Sequence, residues 1–307
     1  MAKRVVKNVE ASIRARLLNL SRMTGENYNA VLLRFFQERF LTRLGMSKYK
    51  EYFVLKGGLL LSIQRITIFR PTVDIDMLGA GISNDPEHLS TAIKEIARIE
   101  LDDGVYFNTD TITLSVIKED AEYEGLRFTL VVRLGKIKSR IQIDIGFGDA
   151  VPLSYTKKAL PPMLPGLFTS EILLYPLESV ISEKYQAIVY LGSATSRMKD
   201  YYDILFLAEN HAFILKKLKM AIEATFTRRE TDIGSRFFIY RSDYISEKEK
   251  MWKVFLNKIG IERRVDFSQV IKMIKEFLEP VIEADKKEEN LIWDSKVWSW
   301  RDIVIPV

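Results

Sequence analysis

Three aspartates stand out in this chain as groups able to act together on one substrate. Asp74 and Asp76 are one residue apart in RPTVDIDML, and Asp144 lies in IQIDIGFGD. In a strand, residues i and i+2 point to the same face, so the first two carboxylates would project together while Ile75 points into a core. Carboxylates held that close repel each other, which is costly unless a cation lies between them.

Hard oxygen ligands of this kind suit Mg²⁺, which binds a few carboxylates together with substrate phosphates. Asp144 is flanked by Ile143 and Ile145, so its side chain would also leave the apolar face of a strand. Three carboxylates at one sheet edge can hold one or two metal ions for in-line phosphoryl or nucleotidyl transfer. The alternatives are a surface turn or helix N-cap for the aspartate pair and an edge-strand charge for Asp144.

A pair of glycines, Gly57 and Gly58 in YFVLKGGLLL, precedes the aspartates. Without side chains, the backbone there can approach a ligand closely and can adopt a positive φ. A helix that begins near Leu59 would direct its amide groups towards an anion such as a triphosphate, with Lys56 close by. A plain tight turn is the other interpretation of the glycine pair.

The composition excludes several kinds of site. The 307 residues, 47% hydrophobic and 28% charged, fit a soluble globular protein of one large or two to three small domains. The absence of cysteine excludes disulfides and thiolate metal sites, and with two histidines we do not expect a histidine-rich metal site. We expect a cytoplasmic protein. The chain shows neither an apolar stretch of membrane-spanning length nor the apolar segment of a secretory signal, so we expect no membrane partner.

Positive charge is concentrated towards the N-terminus. Residues 1–50 contain eleven Lys or Arg and three Glu, a formal charge of +8, and the rest of the chain sums to −3. A basic segment beside an acidic pocket suits an enzyme whose substrate is a nucleic acid and whose cofactor is a metal. The predicted RNA-binding residues are Arg14, Arg16, Arg22, Arg228 and Arg229. Solvated helix faces and a solvated turn are the alternatives.

The spacing of apolar residues predicts the elements that position these groups. We predict an α/β (α+β) fold with a basic helical N-terminal segment (1–50), a core built on a small mixed sheet (51–165) and a helical C-terminal domain (166–307). Strands are predicted at about 73–78, 112–117, 126–133 and 140–147. Helices are predicted at about 9–22, 24–45, 59–68, 86–99, 176–191, 199–208, 212–224, 246–258 and 267–284. Three prolines near 161–165 mark the boundary, and only helices are expected from Thr169 onwards.

A second group of charged residues lies in the predicted helical domain, in LESVISEKYQAI and SRMKDYYDI. Lys184 is flanked by apolar residues, so its stem could stay buried while its amine reaches a pocket. A lysine aimed at the β- or γ-phosphate would balance charge as diphosphate leaves. An ordinary salt-bridge network is the alternative for Arg197 and Lys199, and a helix N-cap is the alternative for Asp200.

These motifs resemble the DNA polymerase β-like nucleotidyltransferase superfamily, in which a glycine-containing turn precedes a D-x-D strand and a third Asp lies on a later strand. More narrowly, the chain resembles the AbiEii/AbiGii-type nucleotidyltransferase toxins of toxin–antitoxin and phage-defence systems. The resemblance includes YFVLKGGLLL, RPTVDIDMLG, RIQIDIGFGDAV and RMKDYYDI. Two departures are a Gly-Gly in place of the usual Gly-Ser and a longer gap to the D-x-D.

The resemblance implies a polymerase β-like core and a Mg²⁺-dependent transfer of NMP from an NTP to an RNA acceptor such as a tRNA 3′ end, with a cognate antitoxin as partner. The implied metal ligands, for two ions, are Asp74, Asp76 and Asp144, and Asp144 could instead take the proton from the attacking hydroxyl. The further implied catalytic residues are Lys184, Asp200 and Asp203, and the implied nucleotide-binding residues are Lys56, Gly57, Gly58, Arg197 and Lys199. A non-catalytic RNA- or protein-binding scaffold, or a transferase acting on a protein or small molecule, are the alternatives.

Overall fold

The computed structural model describes residues 8–63, 72–120, 123–260, 265–285 and 290–302. The chain divides into two compact units, Met1–Gly148 with Tyr155–Tyr175 and Asp149–Ser154 with Pro176–Val307. This is a division by compactness, and the three domains proposed from the sequence stay a prediction. Within the described ranges, every helix is too short or too polar to cross a lipid bilayer.

The first unit contains four helices and seven strands among its described residues. The helices are α1 Val9–Thr24, α2 Tyr28–Met46, α3 Gly57–Ile63 and α4 Pro86–Ala97. The strands are β1 Phe53–Lys56, β2 Asp74–Gly79, β3 Val105–Asp120, β4 Tyr123–Leu134, β5 Ile137–Gly146, β6 Thr156–Ala159 and β7 Glu171–Leu174. The later part of the helix predicted at 59–68 lies outside the described residues.

The seven strands form one mixed sheet in the order β3-β4-β5-β2-β1-β7-β6. β2 runs parallel to β5, and β1 runs parallel to β7; the other neighbours are antiparallel. The prediction of a mixed sheet in an α/β (α+β) fold is therefore confirmed. Parallel pairing places β2 and β5, the two strands that carry the aspartates, side by side at the centre of the sheet.

Alternation along the central strands separates an apolar face from a polar one. Ile75, Phe128 and Ile143, on three adjacent strands, are completely buried, and each lies between polar residues of its own strand. Because successive side chains point to opposite faces, the polar residues collect on the other side of the sheet. α2 packs against β5 and β7, and α4 packs against β3 and α2.

α2 is a buried helix that carries charge into the core. Arg43 donates two hydrogen bonds to Asp103, at 2.8 and 3.1 Å, and Arg39 bonds to Glu38 and to the carbonyl of Phe168. Both arginines are almost completely buried. Part of the positive charge assigned from the sequence to a nucleic-acid surface is therefore structural.

The ends of the first two helices follow from their sequences. Asn8 caps α1, Gly25 ends it in a left-handed conformation, and Asn27 caps α2. Gly45 lies inside α2, which ends at Met46. A side chain at Gly45 would overlap Ser170 and the carbonyl of Glu171, so the glycine allows close packing of α2 on β7.

The second unit is mainly helical. Its helices are α5 Leu177–Leu191, α6 Met198–Asn210, α7 Leu215–Arg228, α8 Ser242–Ile259 and α9 Phe267–Glu283, with 3-10 helices at Gly192–Ala194 and Ile233–Tyr240. A hairpin of β8 Leu291–Asp294 and β9 Ser299–Asp302 packs against α7 and α9. Trp252 and Trp293 are buried and bond to the carbonyls of Val265 and Ala208, as expected of packing residues.

The expectation of helices alone after Thr169 was wrong. Residues 171–174 form β7, which pairs in parallel with β1 and belongs to the first unit. Its sequence, EILL, is a short apolar run without alternation, and such a run does not distinguish a buried strand from a helix. The predicted strand at 112–117 proved to be part of the longer β3.

Candidate active site

The predicted aspartate pair lies on one face of β2. Asp74 and Asp76 are both half-buried, and Ile75 between them is completely buried. Their side chains therefore project from the polar face of the sheet while Ile75 fills the core, as the alternation predicted. A surface turn or a helix N-cap, the alternatives for this pair, are excluded because both residues belong to a strand at the centre of the sheet.

Asp144 lies beside the pair on the next strand. In the parallel register of β2 and β5, Asp76 is the partner of Asp144, and Asp74 is the partner of Gln142. Register partners in a sheet point to the same face, so the three acids share the polar face. β5 has neighbours on both sides, so the alternative of an edge-strand charge for Asp144 was wrong.

Arg127 of β4 forms a two-point ion pair with the carboxylate of Asp144. Its Nε donates to Oδ1 at 2.9 Å and its Nη2 donates to Oδ2 at 2.7 Å, while Gln142 adds a third bond at 3.3 Å. The pKa of Arg127 is raised, first by the hydrogen bonds to Asp144 and then by the charges of Asp144, Asp74 and Asp76, against an opposing effect of burial. A guanidinium thus shares the face with the acids.

These residues fit a metal through a pair of acids rather than through three. In the described part of the chain, no group of three or more acidic or histidine side chains is arranged to hold a metal ion. Two carboxylates on one strand face, together with substrate phosphates, are still the arrangement that Mg²⁺ prefers. Asp74 and Asp76 supply it, whereas the role of Asp144 as a third ligand, and a second ion, stay predictions.

The glycine turn lies against the acids. Gly57 has φ of +67°, and a side chain there would overlap the carboxylate of Asp76. The chain therefore needs glycine at this position both for its backbone conformation and for the close approach. A helix was expected to begin near Leu59; α3 instead begins at Gly57, so the glycine pair forms its first turn.

Lys56 contributes a second cation to the polar face. It is the register partner of Asp76 across β1 and β2. Its Nζ lies 3.6 Å from where a Cβ on Gly146 would be, and 5.9 Å from the ring centre of Tyr175. The lysine amine therefore lies next to the end of β5. The prediction that Lys56 binds nucleotide stays open, and its position suits the role.

Lys184 belongs to a buried ion cluster in the second unit. Its Nζ lies 3.0 Å from Asp200 and 2.6 Å from Asp203, and both aspartates are completely buried. Arg197 forms a close ion pair with Asp200 at 2.7 Å that lacks hydrogen-bond geometry. The structure therefore brings Lys184, Asp200, Asp203 and Arg197 together, whereas Lys199 is exposed.

The N-cap alternative for Asp200 is excluded. Asp200 is not the N-cap of α6, because Arg197 takes the N-cap position and Asp200 pairs with Lys184. The tyrosines that follow are core residues: Tyr201 is completely buried and its hydroxyl lies 2.6 Å from that of Tyr244. Tyr202 is 8% exposed and packs among aromatic rings, so neither ring is available to stack on a base.

The five predicted RNA-binding arginines differ in exposure. Arg14, Arg22 and Arg228 are exposed, whereas Arg16 donates to the carbonyl of Pro165. Arg229 bonds to Gln186 and lies 3.8 Å from Asp149, both within its own unit. The prediction of RNA contact is untested for all five, and the exposed three are the ones whose position suits it.

Arg127 was not among the residues predicted for the site. The pattern that could have found it is the alternation in β4, where Arg127 and Thr129 lie between buried Leu126, Phe128 and Leu130. Polar residues at every second position of a central strand place their side chains on one face. That pattern does not reveal which strand is the neighbour, so the contact with Asp144 required the sheet order.

Comparison with known proteins gives a family and two solved structures. The structures, both from Helicobacter pylori, are JHP933 and a protein described as a candidate nucleotidyltransferase; each has 14% identity and a TM-score of 0.47. Each match covers 84% of this chain, and 93% and 96% of the other chains. No curated protein matches the sequence.

The family match spans most of the chain. Residues 39–302 match the sequence model described as "Nucleotidyl transferase AbiEii toxin, Type IV TA system". This range includes the glycine turn, the three acids of the sheet and the cluster around Lys184, the same blocks on which the resemblance was recognised. The chain belongs to the AbiEii family of nucleotidyltransferase toxins.

Proposed function

We propose that this protein is a Mg²⁺-dependent nucleotidyltransferase that transfers NMP from an NTP to an RNA acceptor, such as a tRNA 3′ end. Its biological role in this proposal is that of a toxin in a phage-defence type of toxin–antitoxin system, restrained by a cognate antitoxin. Membership of the AbiEii family supports the enzyme class and the toxin role. The acids on one sheet face, with a glycine turn packed against Asp76, are the observation that carries the chemistry.

The residues of the first unit have distinct tasks in this proposal. Asp74 and Asp76 hold the metal with the triphosphate, and bound Mg²⁺ would supply Lewis-acid polarisation and offset phosphate charge. Gly57 keeps the turn beside Asp76 free of side-chain bulk, so that phosphates can approach the backbone. Lys56 offsets further negative charge on the same face. The acceptor hydroxyl attacks the α-phosphorus in line, and diphosphate leaves.

Lys184 has a role that rests on the family resemblance. It is expected to neutralise charge on the triphosphate as diphosphate departs. Within its own unit the amine is fixed by Asp200 and Asp203, which restricts its rotamers and lowers the entropy lost when it binds an anion. Such a fixed, partly exposed cation is consistent with a positioned catalytic group.

The test is direct incubation of the purified protein with total tRNA, Mg²⁺ and each α-labelled NTP in turn. We expect label from one or more NTPs to enter RNA of tRNA size, and EDTA to abolish the incorporation. A parallel reaction with total protein in place of RNA checks the acceptor class. Labelling of protein alone, or of no macromolecule under any condition, would contradict the proposal.

A further inference from the structure

The contact between Arg127 and Asp144 suggests a division of labour among the three acids. Both carboxylate oxygens of Asp144 accept from the guanidinium, at 2.9 and 2.7 Å, and Oδ2 also accepts from Gln142. A two-point guanidinium–carboxylate pair is among the stronger and more directional contacts in proteins. It places a positive charge beside both carboxylate oxygens, which disfavours a metal ion at the same oxygens.

We propose that Asp144 is a positioning residue for Arg127, and that Arg127 binds a phosphate group of the nucleoside triphosphate. The inference rests on the proposed function, because it assigns a ligand at the same face. In this proposal Asp74 and Asp76 bind the metal ion, while Asp144 holds the guanidinium of Arg127 in place.

The geometry of Arg127 suits an anion. In the part of the chain that the structure describes, its hydrogen bonds use Nε and Nη2 and leave the Nη1 group for a ligand. Its side chain is 36% exposed, whereas that of Asp144 is 10% exposed. The carboxylate of Asp144 is thus largely buried, whereas the guanidinium of Arg127 is partly open to solvent. The guanidinium is held before any ligand arrives, which reduces the entropy lost on binding.

The charges on this face also favour the assignment. A triphosphate that approaches three carboxylates is repelled unless cations stand beside them. Arg127 experiences the charges of Asp74 and Asp76 as well as that of Asp144, so it lies within electrostatic reach of the metal-binding pair. A fixed guanidinium there attracts phosphate without occupying the two acids that the metal needs.

The roles of metal ligand and of positioning residue predict different binding results for Asp144→Asn. As a metal ligand, Asp144 would be needed for divalent-ion binding and not for metal-free anion binding. As a positioning residue, it would be needed for anion binding only through Arg127, so its replacement would have no effect once Arg127 is replaced. The two readouts are therefore independent of turnover.

The experiment compares the full-length protein with Arg127→Gln, Arg127→Lys, Asp144→Asn and the double variant Arg127→Gln/Asp144→Asn. Binding of tripolyphosphate and of each NTP is measured in EDTA, and binding of Mn²⁺ alone is measured by electron paramagnetic resonance. Because Arg127→Gln leaves an enclosed carboxylate with one amide partner, it is the variant most at risk of unfolding. The double variant removes both charges, so it leaves no buried carboxylate without its cation. Its comparison with Asp144→Asn therefore measures the effect of removing Arg127 in a protein expected to fold.

We expect Arg127→Gln to weaken tripolyphosphate and NTP binding by about tenfold or more, because a charge-assisted contact is lost. Arg127→Lys should retain part of the affinity, because it keeps the positive charge but loses the planar set of N–H donors of the guanidinium. Asp144→Asn should weaken anion binding less than Arg127→Gln, and the double variant should bind no more weakly than Arg127→Gln. Mn²⁺ binding should be unchanged in Asp144→Asn.

Loss of Mn²⁺ binding in Asp144→Asn, with metal-free anion binding intact, would overturn the inference and make Asp144 a metal ligand. Unchanged tripolyphosphate and NTP affinity in Arg127→Gln would also overturn it; if RNA affinity fell instead, the phosphate would belong to the acceptor. Absence of nucleotide transfer in a protein that still shows the Arg127-dependent binding would count against the proposed function alone.

Discussion

At the scale of single residues, the glycine turn is the feature with the sharpest consequence. Gly57→Ala places a methyl group on the carboxylate of Asp76 and forces a non-glycine residue to φ of +67°. We expect stability to fall by more than the about 1–2 kcal/mol of the backbone conformation alone. Transfer per folded molecule should fall by on the order of a hundredfold, because the acid is displaced. Thermal unfolding and the labelled-NTP assay measure the two effects.

Gly166→Ala is the matched control for that substitution. Gly166 has φ of +82°, lies in the same unit as Gly57, and has nothing within 4 Å of the point where a Cβ would be. Gly166→Ala should lower stability only by the cost of a non-glycine residue at positive φ, and it should leave nucleotide transfer unchanged. Equal loss of activity in the two variants would show that the close approach to Asp76 is not what makes Gly57 necessary.

Glu279 gives a pH-dependent prediction in the second unit. Burial alone would raise its pKa, but hydrogen bonds from Arg236 and Tyr240 outweigh burial and lower the pKa below its usual 4.5. A lowered folded-state pKa contributes stability above the unfolded pKa, and this stability is lost as pH falls through the folded value. Glu279→Gln should therefore destabilise the protein at pH 7 by about 1–3 kcal/mol, with the deficit shrinking below about pH 4.5.

The control for Glu279 lies on the same helix. Glu276 is exposed and has a loose contact with Lys272 at 3.9 Å, so Glu276→Gln should change stability little at any pH. Urea unfolding of the two variants from pH 3 to 7 provides the comparison. A deficit in Glu279→Gln that is constant across this range would refute the assigned pKa direction.

At the scale of secondary structure, α2 is held to the sheet by a buried ion pair. Arg43→Met would leave Asp103 buried, with Arg39 only at 3.9 Å. Removing one partner of a buried pair costs about 3–5 kcal/mol. Arg34→Met on the same helix breaks a half-exposed pair with Glu26 and should cost at most about 1 kcal/mol. Similar losses in the two variants, measured by chemical denaturation, would contradict the distinction.

How far the sequence predicts each element depends on its length and periodicity. β2 and β5 were predicted because Asp and Ile alternate there, and α4, α5 and α9 because of their helical spacing. Strands β6 and β7 were not predicted because each has only four residues and neither alternates. All four residues of β6 are exposed, and three of the four residues of β7 are buried. Such strands exist because a neighbour supplies their hydrogen bonds, which is a tertiary property.

The same distinction holds for the site. The common face of Asp74 and Asp76 follows from local alternation, and it could be predicted. The pairing of Asp144 with Arg127 depends on β4 lying next to β5, and the enclosure of Lys184 by two aspartates depends on the packing of α5 against α6. Neither contact is encoded in the spacing of nearby residues.

At the scale of the whole molecule, the uneven charge predicts salt-dependent RNA binding. Arg14 and Arg22 are exposed on α1, whereas Arg39 and Arg43 are buried and contribute no surface contact. Replacing Arg14 and Arg22 by Gln should weaken RNA binding and reduce the slope of log K against log salt concentration by about 1–2. Filter binding at several salt concentrations measures the slope.

An equal change of charge elsewhere is the control for that slope. Lys217 and Lys250 are exposed on α7 and α8, outside the basic N-terminal segment. Replacing both by Gln should leave the slope nearly unchanged. The same reduction from either pair would mean that net charge, rather than the face formed by α1, governs RNA binding.

The central claim is that the acids of β2 are the chemical machinery of a nucleotidyltransferase. The most direct measurement is incorporation of α-labelled NTP into tRNA by Asp76→Asn, beside the unaltered protein and Asp110→Asn, which changes an exposed aspartate of β3. We expect incorporation by the unaltered protein and Asp110→Asn, and a loss of at least about a hundredfold in Asp76→Asn with an unchanged circular dichroism spectrum. Incorporation by folded Asp76→Asn at the rate of the unaltered protein would contradict it.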